Sequence, residues 1–225
     1  MHALPRPQAV LFDLDGTLLD SAPDLAGAVH VMQNARGVAL TDYALLRVQA
    51  SKGARGLLGA AFGIDNQDPQ WPAMRDEFLR IYEQAMAVRS CLFPGVPELL
   101  DYLQQQGIAW GVVTNKLARF TDALLPQVGL GHAACAISGD STAHPKPHPA
   151  PLLEAVRRLE LRPADCWYAG DDARDIEAAR AAGMPGLAAA WGYCDAEEIP
   201  HWNATHILQS AGELTTLLRQ CAQPA

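Results

Sequence analysis

Two acids follow the first apolar segment of this sequence. Residues 8–12 are almost entirely apolar, which predicts a strand buried on both faces, and Asp13 and Asp15 come directly after it. A carboxylate can act as a nucleophile, and a second acid two residues away can donate a proton and later accept one. The pair is therefore a candidate for covalent catalysis assisted by a general acid-base.

Three further polar segments lie at or near the ends of later predicted strands. They supply a hydroxyl and an amide, a lysine between prolines, and three acids: Thr114, Asn115, Lys146, Asp171, Asp172 and Asp175. Ligands of open α/β sheets bind at the carboxyl ends of the strands, so these side chains are expected to meet.

Such a group of acids needs a compensating positive charge. Carboxylates within a few ångströms repel one another, and each is costly to bury without a counter-charge. Mg²⁺ takes carboxylate and phosphate oxygens as ligands, a lysine supplies a charge for phosphate, and a threonine or asparagine supplies hydrogen bonds. The combination predicts phosphoryl transfer through a covalent aspartyl intermediate.

The elements that position these residues alternate along the second part of the chain. Predicted strands cover residues 8–12, 108–113, 134–137, 166–169, 186–190 and 206–208, and helices separate those that follow residue 93. Strands that alternate with helices indicate an α/β fold with a doubly wound parallel sheet.

The segment between the first two of these strands is different, because it contains only helical patterns. Helices are predicted over residues 25–35, 43–50, 56–62 and 73–88, and Ser21 with Asp24 resembles a capping box at the start of the first. We therefore expect a small helical domain over residues 20–92, inserted into a core domain of residues 1–19 and 93–225.

The composition of the chain limits the classes of partner and the compartment that we expect. The chain of 225 residues has 17 Lys and Arg against 25 Asp and Glu, a net charge of −8, which disfavours nucleic acid and anionic membranes as partners. Five widely spaced cysteines without a CxxC pair favour a reducing compartment. No membrane-length apolar run and no signal-peptide pattern is present, so we expect a soluble cytoplasmic protein.

The motifs resemble those of a known family. Residues 12–18 (FDLDGTL) are similar to the signature of the haloacid dehalogenase (HAD) superfamily of phosphatases, and Thr114, Lys146 and residues 170–175 (GDDARD) match its other three motifs in the same order. The resemblance covers the whole chain. It implies a Rossmann-like core with strand order 5-4-1-2-3 and a helical cap that corresponds to residues 20–92.

The resemblance also implies a role for each residue. Asp13 would be the nucleophile and a Mg²⁺ ligand, and Asp15 the general acid-base and a ligand through its backbone carbonyl. Asp171 would ligate the metal, although either Asp171 or Asp172 could cap the next helix. The remaining assignments place Thr114 and Asn115 on the phosphoryl oxygens, Lys146 between nucleophile and phosphate, Asp172 as a neighbour, and Asp175 as an orienting residue.

The predicted cap offers a cationic, glycine-flanked segment, residues 51–56 (SKGARG). Lys52 and Arg55 are candidates to bind an anionic substrate there. The alternative is that both are solvated charges at a helix terminus.

Rival reactions are disfavoured by particular residues. The dehalogenating branch of the superfamily lacks the second acid, which is present here as Asp15, and phosphonate cleavage would need a cap lysine, for which only Lys52 is available. A receiver domain would have its lysine after all its acids, whereas Lys146 precedes Asp171.

We therefore expect a Mg²⁺-dependent phosphatase of a small phosphomonoester, a monomer or homodimer, similar to the phosphoglycolate phosphatases. An N-acetylmuramic acid 6-phosphate phosphatase and a phosphomutase of the β-phosphoglucomutase type are the alternatives.

Overall fold

A computed structural model describes residues 4–221 of the chain. In chain order, its strands are β1 (Ala9–Phe12), β2 (Leu19–Asp20), β3 (Cys91–Leu92), β4 (Ala109–Val113), β5 (Ala136–Ile137), β6 (Cys166–Gly170), β7 (Gly186–Ala189) and β8 (His206–Leu208). Its α-helices are α1 (Ala22–Ala35), α2 (Tyr43–Arg47), α3 (Gly53–Phe62), α4 (Trp71–Ala85), α5 (Val96–Gln105), α6 (Ala118–Gln127), α7 (Ala150–Leu159), α8 (Ala173–Ala182) and α9 (Ala211–Cys221).

Six of the strands form one parallel sheet in the order β5-β4-β1-β6-β7-β8. This confirms the predicted α/β class. The expected order 5-4-1-2-3 counts only the strands of this sheet, in which β1, β4, β5, β6 and β7 are strands 1 to 5. The observed order β7-β6-β1-β4-β5 therefore matches it, and β8 adds a sixth strand at the edge. Phe12 at the end of β1 lies opposite Val112 of β4 and Ala169 of β6. The polar residues that follow these three strands therefore emerge side by side at one edge of the sheet.

The sheet is covered on both faces, as the apolar character of its strands predicts. Every residue of β1 and β6 is buried. Alternate residues of β1 belong to different hydrophobic clusters, with Val10 and Phe12 in one and Ala9 and Leu11 in the other. This alternation follows from the two-residue period of a strand, which directs successive side chains to opposite faces.

The helices α1–α4 lie between β2 and β3, where the chain leaves and re-enters the core. These two strands pair antiparallel, with Leu19 opposite Leu92 and Asp20 opposite Cys91. Two-residue strands are too short to produce a periodic pattern, so the sequence does not predict them. The pair coincides with the predicted limits of the cap, and the division into two domains remains a prediction.

The predicted capping box at the start of α1 is wrong. The side chain of Ser21 makes no capping bond and instead donates to a carboxylate oxygen of Asp15. Asp24 accepts hydrogen bonds from the backbone N–H groups of residues 88–90, where the chain returns from α4. Partners distant in sequence have replaced the local ones, because a buried carboxylate is stabilised most where several donors converge on it.

Two observations concern the cysteines and the length of the helices. The five cysteines are free thiols. Across residues 4–221, no helix combines the length and the apolar character that a membrane span requires.

The bonds to Asp24 lead to a stability prediction. Asp24→Ala would leave backbone donors of residues 88–90 buried without partners, and we expect a loss of about 3 kcal/mol in the free energy of unfolding. Urea unfolding measures this. The control Asp122→Ala removes an exposed acid from α6 and should change stability by less than about 0.5 kcal/mol. Equal losses in both variants would contradict the role given to Asp24.

Candidate active site

The predicted residues meet at the carboxyl edge of the sheet, around a cavity of about 560 Å³. Residues from all four predicted motifs line it: Asp13, Asp15, Thr114, Asn115, Lys146, Asp172 and Asp175. Asp171 lines an adjoining cavity and lies close to the same acids.

Three buried carboxylates form the centre of the site. Asp13, Asp171 and Asp175 can each offer an oxygen within 4.8 Å of the others. Burial, reinforced by the charges of Asp13 and Asp175, raises the pKa of Asp171 well above its usual value. The group suits a hard divalent cation, because its donors are all carboxylate oxygens and their charge needs compensation.

Lys146 supplies the positive charge inside this group. Its ammonium lies 2.9 Å from an oxygen of Asp13 and 2.7 Å from one of Asp175. It also donates to the carbonyl of Val113 and to the hydroxyl of Tyr168. Burial alone would lower the pKa of Lys146, but the neighbouring carboxylates raise it, so the side chain stays charged.

The side chain of Asn115 fixes the loop that carries Lys146. Its carbonyl oxygen accepts from the Lys146 N–H at 2.9 Å, and its amide donates to the Lys146 carbonyl at 2.9 Å. The side chain is thus engaged with the backbone of Lys146, and the contact of Asn115 with phosphate remains a prediction.

Asp13, the first acid of the first motif, is held through one of its two oxygens. Both contacts of Asp13 fall on Oδ1, which accepts from the Leu14 N–H at 2.8 Å and meets Lys146. Oδ2 is left without a partner among the described residues. An oriented carboxylate with one uncommitted oxygen is suited to nucleophilic attack.

Asp15 is held by a lysine to which we assigned no role from the sequence. Lys116 places its ammonium 3.0 and 3.2 Å from the two oxygens of Asp15 and 4.7 Å from the centre of the Tyr82 ring. Burial alone would lower the pKa of Lys116, but Asp15 and Tyr82 raise it. The sequence feature that could have indicated a role for Lys116 is its position directly after Thr114 and Asn115, at the end of β4.

Two glycines allow Asp171 to approach the first motif. Gly16 has φ of 88°, and a Cβ atom at Gly16 or Gly192 would collide with the Asp171 side chain. Asp171 accepts from the Tyr193 N–H at 2.9 Å and from the Thr17 hydroxyl at 3.3 Å. The chain therefore packs closely around this carboxylate.

Asp172 and Asp175, the acids that follow Asp171, make different contacts. Asp172 caps α8 by accepting from the Arg174 N–H at 2.9 Å, and Asp175 completes a capping box by accepting from the Asp172 N–H at 3.1 Å. The other oxygen of Asp175 binds Lys146. Asp172 is thus the helix cap, and Asp171 is the acid within the cluster.

The cationic segment of the predicted cap reaches the core through Ser51. The Ser51 hydroxyl donates to Asp171 at 3.0 Å, and its carbonyl accepts from Arg174 at 2.7 Å. Lys52 lines the cavity with Asp13, as expected. Arg55 lines only the adjoining cavity, so the structure does not bring it to the predicted nucleophile.

Comparison with known proteins agrees with this geometry. The model of the haloacid dehalogenase-like hydrolase family matches residues 7–183. The chain belongs to this family. The resemblance drawn from the motifs is thereby confirmed, and the protein is a hydrolase.

Relatives match this HAD-like hydrolase along most of its length. A phosphoglycolate phosphatase of Xanthomonas campestris pv. campestris is 45% identical over 211 residues, covering 92% of this chain and 95% of its own. An N-acetylmuramic acid 6-phosphate phosphatase of Pseudomonas aeruginosa is 40% identical over 215 residues, covering 95% of each chain. The crystal structure of a predicted phosphoglycolate phosphatase from Haemophilus somnus superposes with a TM-score of 0.82 at 26% identity, covering 94% of this chain and 98% of that one.

The raised pKa of Asp171 leads to a prediction for the metal-free protein. The unfolded pKa is about 4, so ionised Asp171 costs stability as pH rises above that value. Without Mg²⁺, Asp171→Asn should be more stable than the parent at about pH 7, and the gap should narrow toward about pH 4. Urea unfolding across this range, with Asp122→Asn as the control, measures the gap. A gap that does not vary with pH would contradict the prediction.

Proposed function

We propose that this HAD-like hydrolase is a Mg²⁺-dependent phosphatase of a small phosphomonoester and that it acts through an aspartyl-phosphate intermediate. The observation that supports this most is the environment of Asp13. One oxygen is fixed by the Leu14 N–H and Lys146, and the other is uncommitted beside two further buried carboxylates.

The donor set fits a divalent metal. Asp13 and Asp171 would hold Mg²⁺ with their side chains, and Asp15 with its backbone carbonyl, while Asp175 stays bound to Lys146. The bound ion would neutralise carboxylate and phosphate charge and polarise a phosphoryl oxygen.

The residues of the chain divide the chemistry between them. Oδ2 of Asp13 attacks phosphorus, and the ester oxygen leaves with a proton from Asp15. Asp15 then takes a proton from water as that water attacks the aspartyl-phosphate, which releases phosphate and restores Asp13. Lys146 and Thr114 stabilise the charge that develops on the phosphoryl oxygens.

Phosphoglycolate is the first candidate substrate, because relatives with 45% identity along almost the whole chain carry that name. N-acetylmuramic acid 6-phosphate is the second, supported by relatives with 40% identity. The cavity of about 560 Å³ favours this second candidate, since it far exceeds the space that a two-carbon acid requires. We place the activity in the cytoplasm on the basis of the free cysteines and the acidic composition.

The nucleophile assignment is tested with Asp13→Asn. We expect phosphate release to fall by at least about a thousandfold, because an amide cannot form the acyl phosphate. Circular dichroism should show an intact fold, and Asp122→Asn should retain parental activity. Phosphate release close to that of the parent would overturn the assignment.

The substrate is tested with a panel of phosphomonoesters. We expect phosphate release from p-nitrophenyl phosphate and from at least one of the two named candidates, and we expect it to require Mg²⁺ and to stop with a chelator. Ranking by kcat/KM identifies the preferred substrate. Activity that persists after complete removal of metal would contradict the proposed cofactor.

A further inference from the structure

One face of α4 forms a wall of the active-site cavity. Arg75, Phe78, Leu79 and Tyr82 all line it, and their spacing of three, four and seven residues places them on one side of the helix. The wall lies in the same cavity as the residues to which we assign the proposed chemistry. Its four residues belong to none of the four sequence motifs.

Tyr82 brings an unpartnered polar group to this wall. It is 1% exposed, and among the buried side-chain nitrogens and oxygens of residues 4–221 its hydroxyl is the one that lacks a hydrogen-bond partner. Such a group is costly and rare in folded proteins. The ring adjoins Lys116, which binds Asp15, so the hydroxyl lies at the end of α4 where the ester oxygen would depart.

Arg75 brings a charge without a carboxylate partner in the cavity wall to the other end of the wall. Three of the five cations in the cavity wall pair with carboxylates of that wall. Within the described part of the chain, Lys52 and Arg75 have no such partner there, and Arg75 meets only Asp76, at 3.1 Å on the exposed surface. In a protein with a net charge of −8, cations that have no carboxylate partner in the cavity wall mark a position for an anion.

The wall is longer along the helix axis than a small acid. Seven residues of helix separate Arg75 from Tyr82, about 10 Å along the axis at roughly 1.5 Å per residue. The carboxylate oxygens of phosphoglycolate lie four bonds from phosphorus, at most about 6 Å at roughly 1.5 Å per bond. The apolar side chains of Phe78 and Leu79 occupy the interval.

We infer that this face of α4 is the subsite for the leaving group, and that the leaving group is a hexose-sized alcohol that carries a carboxylate. The inference rests on the proposed phosphatase function. The Tyr82 hydroxyl binds a polar substituent near the ester oxygen, Arg75 binds the carboxylate, and Phe78 and Leu79 cover the apolar face between them. Both polar residues determine specificity, and neither takes part in bond breaking.

The first test is Tyr82→Phe, which keeps the ring and removes the hydroxyl. We expect kcat/KM for N-acetylmuramic acid 6-phosphate to fall about tenfold relative to that for p-nitrophenyl phosphate. Without substrate, Tm should equal or exceed that of the parent, because the change removes an unpartnered buried group. The control Tyr102→Phe should leave activity unchanged. A lower Tm together with equal losses on both substrates would show that Tyr82 is only structural.

The second test is Arg75→Gln with a matched pair of substrates. N-acetylglucosamine 6-phosphate lacks the carboxylate-bearing ether of N-acetylmuramic acid 6-phosphate and is otherwise the same. The preference for the acid, expressed as a ratio of kcat/KM values, should fall about tenfold in this variant. Arg80→Gln, on the same helix but outside the cavity wall, should retain the parental ratio.

The outcomes separate this inference from the function on which it rests. An unchanged ratio in Arg75→Gln would overturn the role of Arg75. A parental preference for phosphoglycolate over both sugar phosphates would overturn the size of the leaving group. If the parent with Mg²⁺ releases no phosphate from any of these substrates, p-nitrophenyl phosphate included, the proposed phosphatase function itself fails.

Discussion

The ammonium of Lys146 reduces the repulsion among carboxylates that lie close to one another. Asp13 and Asp175 both contact it, and Asp171 lies close to both acids, so three buried carboxyl groups share one ammonium group. Removing such charges from water costs several kcal/mol each unless they are paired and hydrogen-bonded. The acceptors around the Lys146 ammonium and the raised pKa of Asp171 reduce this cost, and a bound divalent cation would reduce it further.

The sheet provides the acceptors that this charge requires. Because β1 lies between β4 and β6, the carbonyl of Val113, the hydroxyl of Tyr168 and the carboxylate of Asp13 reach one point from three strands. The approach of Asp171 depends on the absence of a side chain at Gly16 and Gly192. A larger residue at either position would separate the acids, so these glycines serve the electrostatics of the site as well as the turn.

The sequence predicts the parts of this site that are local and leaves the pairings open. Runs of apolar residues locate the strands, and the polar residues after them meet because parallel strands end at a common edge. The contacts of Ser51 with Asp171 and of Lys116 with Asp15 join residues 120 and 101 positions apart, and no local pattern records them. Asp24 shows the same limit: its spacing from Ser21 indicates a cap, yet distant backbone donors bind it.

The predicted cap contacts the core at a carboxylate of the acidic cluster, which would connect the proposed recognition to the proposed chemistry. Ser51 stands directly before Lys52, which lines the substrate cavity, and it donates to Asp171 within the acidic cluster. Any displacement of Ser51 would therefore change the hydrogen bonding of a proposed metal ligand. Under the proposed function, the core supplies the phosphoryl chemistry and the wall formed by α4 selects the alcohol. The two are joined by the contacts of Ser51 with Asp171 and of Tyr82 with Lys116.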